Sequence, residues 1–179
     1  MAEGIDLATM RAVLKSQYHA ALAMLKEAIE ACPDELWLRP HRSNAFWQVA
    51  YHAIFFAHFY LHRTHDGARF WPGHRADSQN PDGIAGPPDP ASDLPLLPPP
   101  YRRAQALEFW AVCDAFVDRA VDAMDLLDPQ CGFPWYKVSK LEHQLVSLRH
   151  VQHHAAQLAD RLRAEVDHGV RWVGARPIS

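Results

Sequence analysis

The sequence predicts an all-α fold: a four-helix bundle forming one domain over residues 1–179, with a long Pro/Gly-rich connection between its second and third helices. Three observations carry that expectation. Four long segments repeat apolar residues at three- and four-residue spacing, the period of a helix with a buried face. No alternating run is long enough to make a useful strand. Residues 65–100 lose both periods and fill with proline and glycine, in PDGIAGPPDP and LPLLPPP, so they read as a connection laid over the surface in extended turns.

The first helix is expected from about Leu7 to Ala31, with Met10, Val13, Leu14, Tyr18, Ala21, Leu25 and Ile29 on one stripe and Cys32-Pro33 closing it. The second is expected from about Asn44 to Thr64, with Ser43 or Asn44 as its cap. Its apolar residues, among them Phe46, Trp47, Val49, Ile54, Phe55, Phe56, Phe59 and Leu61, cover nearly every side, which marks a helix buried on several faces. The connection that follows carries Phe70, Trp71, Ile84, Leu94 and Leu96 as candidate anchors. A third helix is expected from about Tyr101 to Leu127. Trp110, Val117, Val121 and Met124 form its stripe, and Asp114, Asp118 and Asp122 lie on another face. Pro129 to Pro134 interrupt the pattern. Ser139-Lys-Leu-Glu142 fits a capping box opening a fourth helix to about Asp167, with Gly169 as its stop. The 36-residue connection between helices two and three is long enough for a crossover, so a simple up-down-up-down order is not required.

Bulk properties exclude several classes. A net charge of −3 is not the basic excess of a nucleic-acid binder. The opening MAEGIDLATM has no basic-then-apolar pattern of an export signal. The greasiest run, Ala45 to Leu61, holds Gln48, His52 and His58 and is too short for a membrane span. The cytoplasm is the expected location. Three cysteines, Cys32, Cys113 and Cys131, lie far apart without a CxxC pair, so reduced thiols are expected rather than disulfides or a zinc knuckle.

Histidine is the compositional anomaly, at 12 of 179 residues. In RHVQHHAAQL, Arg149 to Leu158, His150 and His154 are four apart and so share one face on adjacent turns. His143 lies on the same stripe, which borders the apolar arc of Leu141, Leu145, Leu148, Ala155 and Leu162. Two imidazoles so placed can bind one metal ion, and a reactive zinc commonly takes three protein ligands plus an open position. His52 is the best third candidate, because it interrupts the most apolar run and a buried imidazole needs partners for its nitrogens. His58 and His62 read as surface or groove edge. His153 reads as a neighbour of the site or as surface, and His19, His41, His65, His74 and His168 as solvated. HExxH, GxGxxG and the P-loop are absent, and Glu165 to His168 is the one Glu-x-x-His spacing, where a di-iron bundle needs two.

NAFWQVAYHAIFFAHFYL, followed far downstream by LRHVQHHAAQL, resembles the DinB/YfiT-like superfamily. The last helix of that family often reads His-x-x-x-His with a following Gln-Leu, here His150, His154 and Gln157-Leu158; a histidine in its second helix matches His52. The resemblance covers about residues 5 to 167. It implies a four-helix bundle with His52, His150 and His154 holding a divalent ion, usually zinc or nickel, often in a homodimer. Some relatives are transferases or isomerases that use low-molecular-weight thiols. Where the family commonly has Arg-Gly, this chain has Ala155-Ala156, which removes a charge near the site.

Three neutral imidazoles leave the charge of a divalent ion uncompensated, so it lowers the pKa of a bound water or thiol. The expected function is therefore a metal-dependent enzyme, a hydrolase or a thiol-dependent transferase acting on a small molecule. Gln157 is placed to orient a ligand or substrate; His143, Glu142 and Tyr136 are weaker candidates for the same support, and Trp71 or Trp135 could wall the pocket. The alternative is a non-catalytic, stress-related helical bundle whose metal is closed off by a fourth ligand, such as His143 or His58. A bis-histidine haem bundle through His52 is a third reading.

Overall fold

The computed structural model describes residues 6–41, 44–80 and 99–176, and it is mostly helical. The first long helix, α1, runs Leu7–Ala31. The Asp6 carboxylate accepts from the Thr9 N–H at 2.7 Å and caps it, and Cys32-Pro33 ends it. A single turn, α2 (Asp34–Trp37), and a two-residue antiparallel ladder, β1 (Pro40–His41) with β2 (Asn44–Ala45), then lead into α3 (Phe46–Tyr60). Neither the turn nor the ladder is long enough to leave a period in the sequence. The cap of α3 is Ala45 rather than Asn44, and the Gln48 side-chain oxygen accepts from the Ala45 N–H at 2.7 Å. The other long helices are α4 (Arg103–Ala123) and α5 (Lys140–Val166).

Three helix ends depart from expectation. Helix α4 closes at Ala123 rather than Leu127, with Met124 as its cap and the Met124 carbonyl taken by Arg11. The second long helix stops at Tyr60 instead of Thr64, because the loop before α5 captures the chain there. The His65 N–H donates to the Gly132 carbonyl at 2.9 Å, and the Lys140 ammonium donates to the Arg63 carbonyl at 2.6 Å. Gly132 permits this approach: its φ is +82°, and a Cβ there would stand 2.5 Å from the Arg63 oxygen. At the far end of α5, Asp167 adopts the left-handed conformation that closes the helix, not Gly169.

Contacts between helices set their order and direction. α1 packs on α4 and α5, and α3 packs on the same two, so α1 lies diagonally across from α3. Between α1 and α4, Arg11 meets the Met124 carbonyl, Lys15 meets Asp122 and Trp110 meets the Leu22 carbonyl, so these helices run antiparallel. Between α3 and α5, Asn44 meets Arg161, His52 meets His150 and the Tyr60 carbonyl meets Gln144, again antiparallel. α1 runs parallel to α5, with Tyr18 on Gln144 and Met24 on Gln152. α3 runs parallel to α4, with Tyr51 against Phe109 and His58 against Phe116. The order is up, down, down, up. The chain must therefore climb back along the 15 residues of α3, roughly 22 Å, to reach the start of α4. Two parallel helices in sequence require a long connection between them.

The described part of the connection is anchored by aromatics. Trp71 is buried and stacks on Phe109, with ring centroids 5.0 Å apart. Phe70, about half exposed, packs on Phe55 and Phe59. Ile84, Leu94 and Leu96 lie outside the described residues. Cover from this segment, together with α4 and α5, accounts for the apolar residues all round α3. Among the described residues, no helix is long and apolar enough to cross a membrane. Cys32, Cys113 and Cys131 are buried free thiols.

Gly73 lies flat against the buried Trp71 indole, and an added Cβ would stand 2.3 Å from that ring. Gly73→Ala is therefore expected to destabilise the protein by about 1–3 kcal/mol, the usual cost of overpacking a site that cannot yield. Thermal or urea unfolding of the variant measures it; an unchanged midpoint would show that the indole is free to move.

Candidate metal centre

The seam between α3 and α5 brings three distant histidines together. His52 comes from the middle of α3, and His150 and His154 from successive turns of α5. The Nε2 atoms of His52 and His150 are 2.9 Å apart, and those of His154 and His150 are 3.1 Å apart. One ligand atom from each of the three lies within 4.8 Å of the others. Around an ion with bonds of 2.0–2.1 Å in tetrahedral geometry, neighbouring nitrogens stand about 3.3 Å apart. Two of the three pairs stand close to that, and the third lies within 4.8 Å.

The outer nitrogens decide what these rings can do. Nδ1 of His52 is 2.6 Å from the Gln79 backbone carbonyl, which can only accept, so the proton sits on Nδ1 and Nε2 presents a lone pair. Nδ1 of His154 faces the Gln157 side-chain oxygen at 3.0 Å, which fixes the same tautomer. Two lone pairs thus point at His150 Nε2, whose single hydrogen, if present, can satisfy one of them. A cation at the focus satisfies all three. Nδ1 of His150 is buried and has no hydrogen-bond partner among the described residues. Burial, and then the neighbouring rings of His52, His154 and His153, push His150 down to about 3. Burial also lowers His154, against the raising effect of its bond to Gln157. Both are neutral near pH 7, the form that ligates metal.

The surroundings are apolar on one side and wet on another. The Phe56 ring lies 4.8 Å from that of His52 and 5.5 Å from that of His150. His150 also lines a shallow depression of about 500 Å³ with Val146, Arg149, Gln152 and His153. His153 is exposed, with its ring 4.9 Å from that of His154.

Of the four residues considered as support, the structure brings only Gln157 to the triad. His143 shares the stripe of His150, but seven residues are two turns, roughly 10 Å along the axis. There it is fully buried among Tyr60, Phe133 and Tyr136. Tyr136 belongs to that aromatic group as well. Glu142 is exposed in the first turn of α5, where its N–H donates to the Ser139 hydroxyl. His58, expected at the surface, is 8% exposed and packs against Phe109 and Phe116. His74, expected to be solvated, is half-buried, with Nδ1 2.7 Å from the Tyr51 hydroxyl. His19 bridges Asp114 and Asp118 across the α1–α4 seam. Trp71 and Trp135 pack on Phe109 and Phe59, away from the triad. The contribution of Gln79 is a main-chain carbonyl, which no side-chain pattern announces.

Fold and site together define a helical protein with a three-histidine centre at a helix–helix seam. The sequence profile of the DinB superfamily matches residues 17–158, a span that contains all three histidines, and the chain belongs to that superfamily. Comparison with curated proteins and with solved structures returned no match.

The buried His143 has a measurable cost. Neither ring nitrogen has a partner among the described residues, and burial, with Lys140 nearby, pushes the ring down from 6.5 to about 4. Between those values the unfolded chain binds a proton that the folded chain does not, so stability falls as pH drops from 6.5 to 4. His143→Leu is expected to remove that loss, up to about 3 kcal/mol at pH 4 and little at pH 8. Thermal melts across this range test it; an equal shift at both ends would assign the effect to packing alone.

Proposed function

We propose that the chain is a single four-helix bundle domain in which His52, His150 and His154 bind one divalent metal ion, zinc or nickel, for chemistry on a small molecule. The carrying observation is the convergence of three Nε2 atoms, with the outer nitrogens of His52 and His154 held by acceptors. The donor set suits a borderline ion: imidazole serves zinc and nickel well.

A reactive centre is favoured over a closed structural one. Among the described residues, no fourth His, Cys, Asp or Glu joins the group. The two fourth ligands that a closed site could have used, His143 and His58, are buried in aromatic surroundings elsewhere. The depression beside His150 supports access from solvent. A divalent ion held there would supply a positive charge that lowers the pKa of a thiol or water reaching it.

The chain's own residues would bind and orient. His52 and His154 keep their protons on Nδ1 and so offer Nε2. Gln157 holds His154, and Phe56 keeps water from one side. A thiol-dependent transferase is the first reading, since a thiol needs no side-chain base to ionise at such a site; a hydrolase is the second reading. A homodimer completes the proposal, on the resemblance already described.

Purified protein is expected to hold close to one equivalent of metal by elemental analysis. His52→Ala, His150→Ala and His154→Ala should each abolish it, while His62→Ala should not. Retention of metal by all three single variants would refute the site. With the metal-loaded protein, turnover is sought in parallel thiol-transfer and hydrolysis panels; activity confined to the hydrolysis panel would reverse the preference stated here.

A further inference from the structure

We propose that Tyr101 and Arg75 are positioning residues for the metal centre, holding a strap, residues 71–80, whose Gln79 carbonyl locks His52 with its proton on Nδ1 and its Nε2 bare. The proposal rests on the reading of the triad as a metal site and adds what controls it.

The strap is tied at three points before it reaches His52. Trp71 is buried on Phe109. The Tyr101 hydroxyl donates to the Gly73 carbonyl at 2.9 Å and accepts from the Arg75 N–H at 2.7 Å, so one oxygen gathers both sides of the bend. The Arg75 guanidinium then folds over the Tyr101 ring at 4.2 Å and donates to the carbonyls of Pro99, at 2.7 Å, and Pro100, at 3.3 Å. The third tie runs to α3 itself: Tyr51 bonds His74 through its hydroxyl and stacks on Tyr101 with centroids 4.2 Å apart. Tyr51 is the residue before His52.

Beyond these ties the chain reverses at Asp77, whose φ is +64°, a conformation that Asp tolerates and β-branched residues resist. The reversal buries Ser78 and aims the next carbonyl, that of Gln79, at His52 Nδ1. Neither Tyr101 nor Arg75 forms a hydrogen bond with any of the three histidines among the described contacts. Their effect must pass through the strap. Losing the carbonyl removes the acceptor that keeps the proton on Nδ1, and an imidazole with its proton on Nε2 must give it up before that nitrogen can ligate. Outer hydrogen-bond partners of ligating histidines are typically worth 10–100-fold in metal affinity.

The test uses the full chain with Tyr101→Phe and Arg75→Gln, and Asp77→Val paired with Asp77→Gly. Circular dichroism first confirms that each variant is folded. In metal-free protein, long-range ¹H–¹⁵N correlations report the His52 tautomer, and competition with a chromogenic chelator reports the affinity for Zn²⁺ alone. Wild type should show one tautomer, protonated on Nδ1. Tyr101→Phe, Arg75→Gln and Asp77→Val should show mixed tautomers and bind Zn²⁺ at least 10-fold more weakly, whereas Asp77→Gly, which accepts the same φ, should behave as wild type. An unchanged tautomer and unchanged affinity in Tyr101→Phe and Arg75→Gln overturn the proposal. A tautomer shift in those variants, with no Zn²⁺ bound by wild type, overturns the metal reading and leaves the strap's hold on His52 standing.

Discussion

Three imidazoles share one small volume at a seam between two helices, and the rest of the structure is arranged so that they can stay there. Imidazole is costly to bury unless its nitrogens have partners, and costlier still when charged. The neutral form follows from burial, seen in the depressed pKa of His150 and the lowered one of His154. Neutral rings alone do not make the arrangement comfortable, since two lone pairs meet a third ring at about hydrogen-bond distance. The constraint therefore becomes geometric. α3 and α5 must keep one register and one spacing, or the nitrogens lose their common focus.

Two buried polar ties hold that register on either side of the triad. Towards the end of α3, the Gln144 side chain donates to the Tyr60 carbonyl at 3.1 Å and accepts from the Tyr18 hydroxyl at 2.8 Å, joining α5, α3 and α1. At the start of α3, the buried Arg161 guanidinium reaches the Asn44 side chain and carbonyl. Apolar contact alone would let the antiparallel pair slide with little penalty. A satisfied buried hydrogen bond has one good register, because slipping leaves a desolvated donor behind. The aromatic surface of α3 supplies the burial energy, and Gln144 and Arg161 select where along it α5 sits.

These particulars explain what could be read in advance. Helical period alone located all four long helices, and the i,i+4 pair on α5 was visible because both members lie on one element. His52 was legible by contrast, as a polar residue in an apolar run. The failures have a common cause. Helix α3 ends early because Lys140 and Gly132, far along the chain, take the Arg63 carbonyl and the His65 N–H just beyond it. His143 was grouped with His150 by stripe, but a stripe has length, and two turns separate neighbours in projection into different layers of the core. His58 looked peripheral because helix α4, which covers it, is not encoded near it. The Gln79 carbonyl was invisible in principle, since every residue has one.

The asymmetry between the two helices explains why the connection matters to the centre at all. On α5 a ligand and its support are local: Gln157 stands three residues after His154, within reach on the next turn. On α3 the equivalent positions are taken. The residue three after His52 is Phe55, which packs in the core, and the residue four before it is Gln48, whose oxygen already accepts from the Ala45 N–H. Helical carbonyls nearby are spent on the helix's own hydrogen bonds. An acceptor for His52 must therefore come from another part of the chain. The return from α3 to α4, forced by two parallel helices in sequence, passes over this face and delivers one. The same topology that lengthens the connection thus makes the state of the centre depend on it.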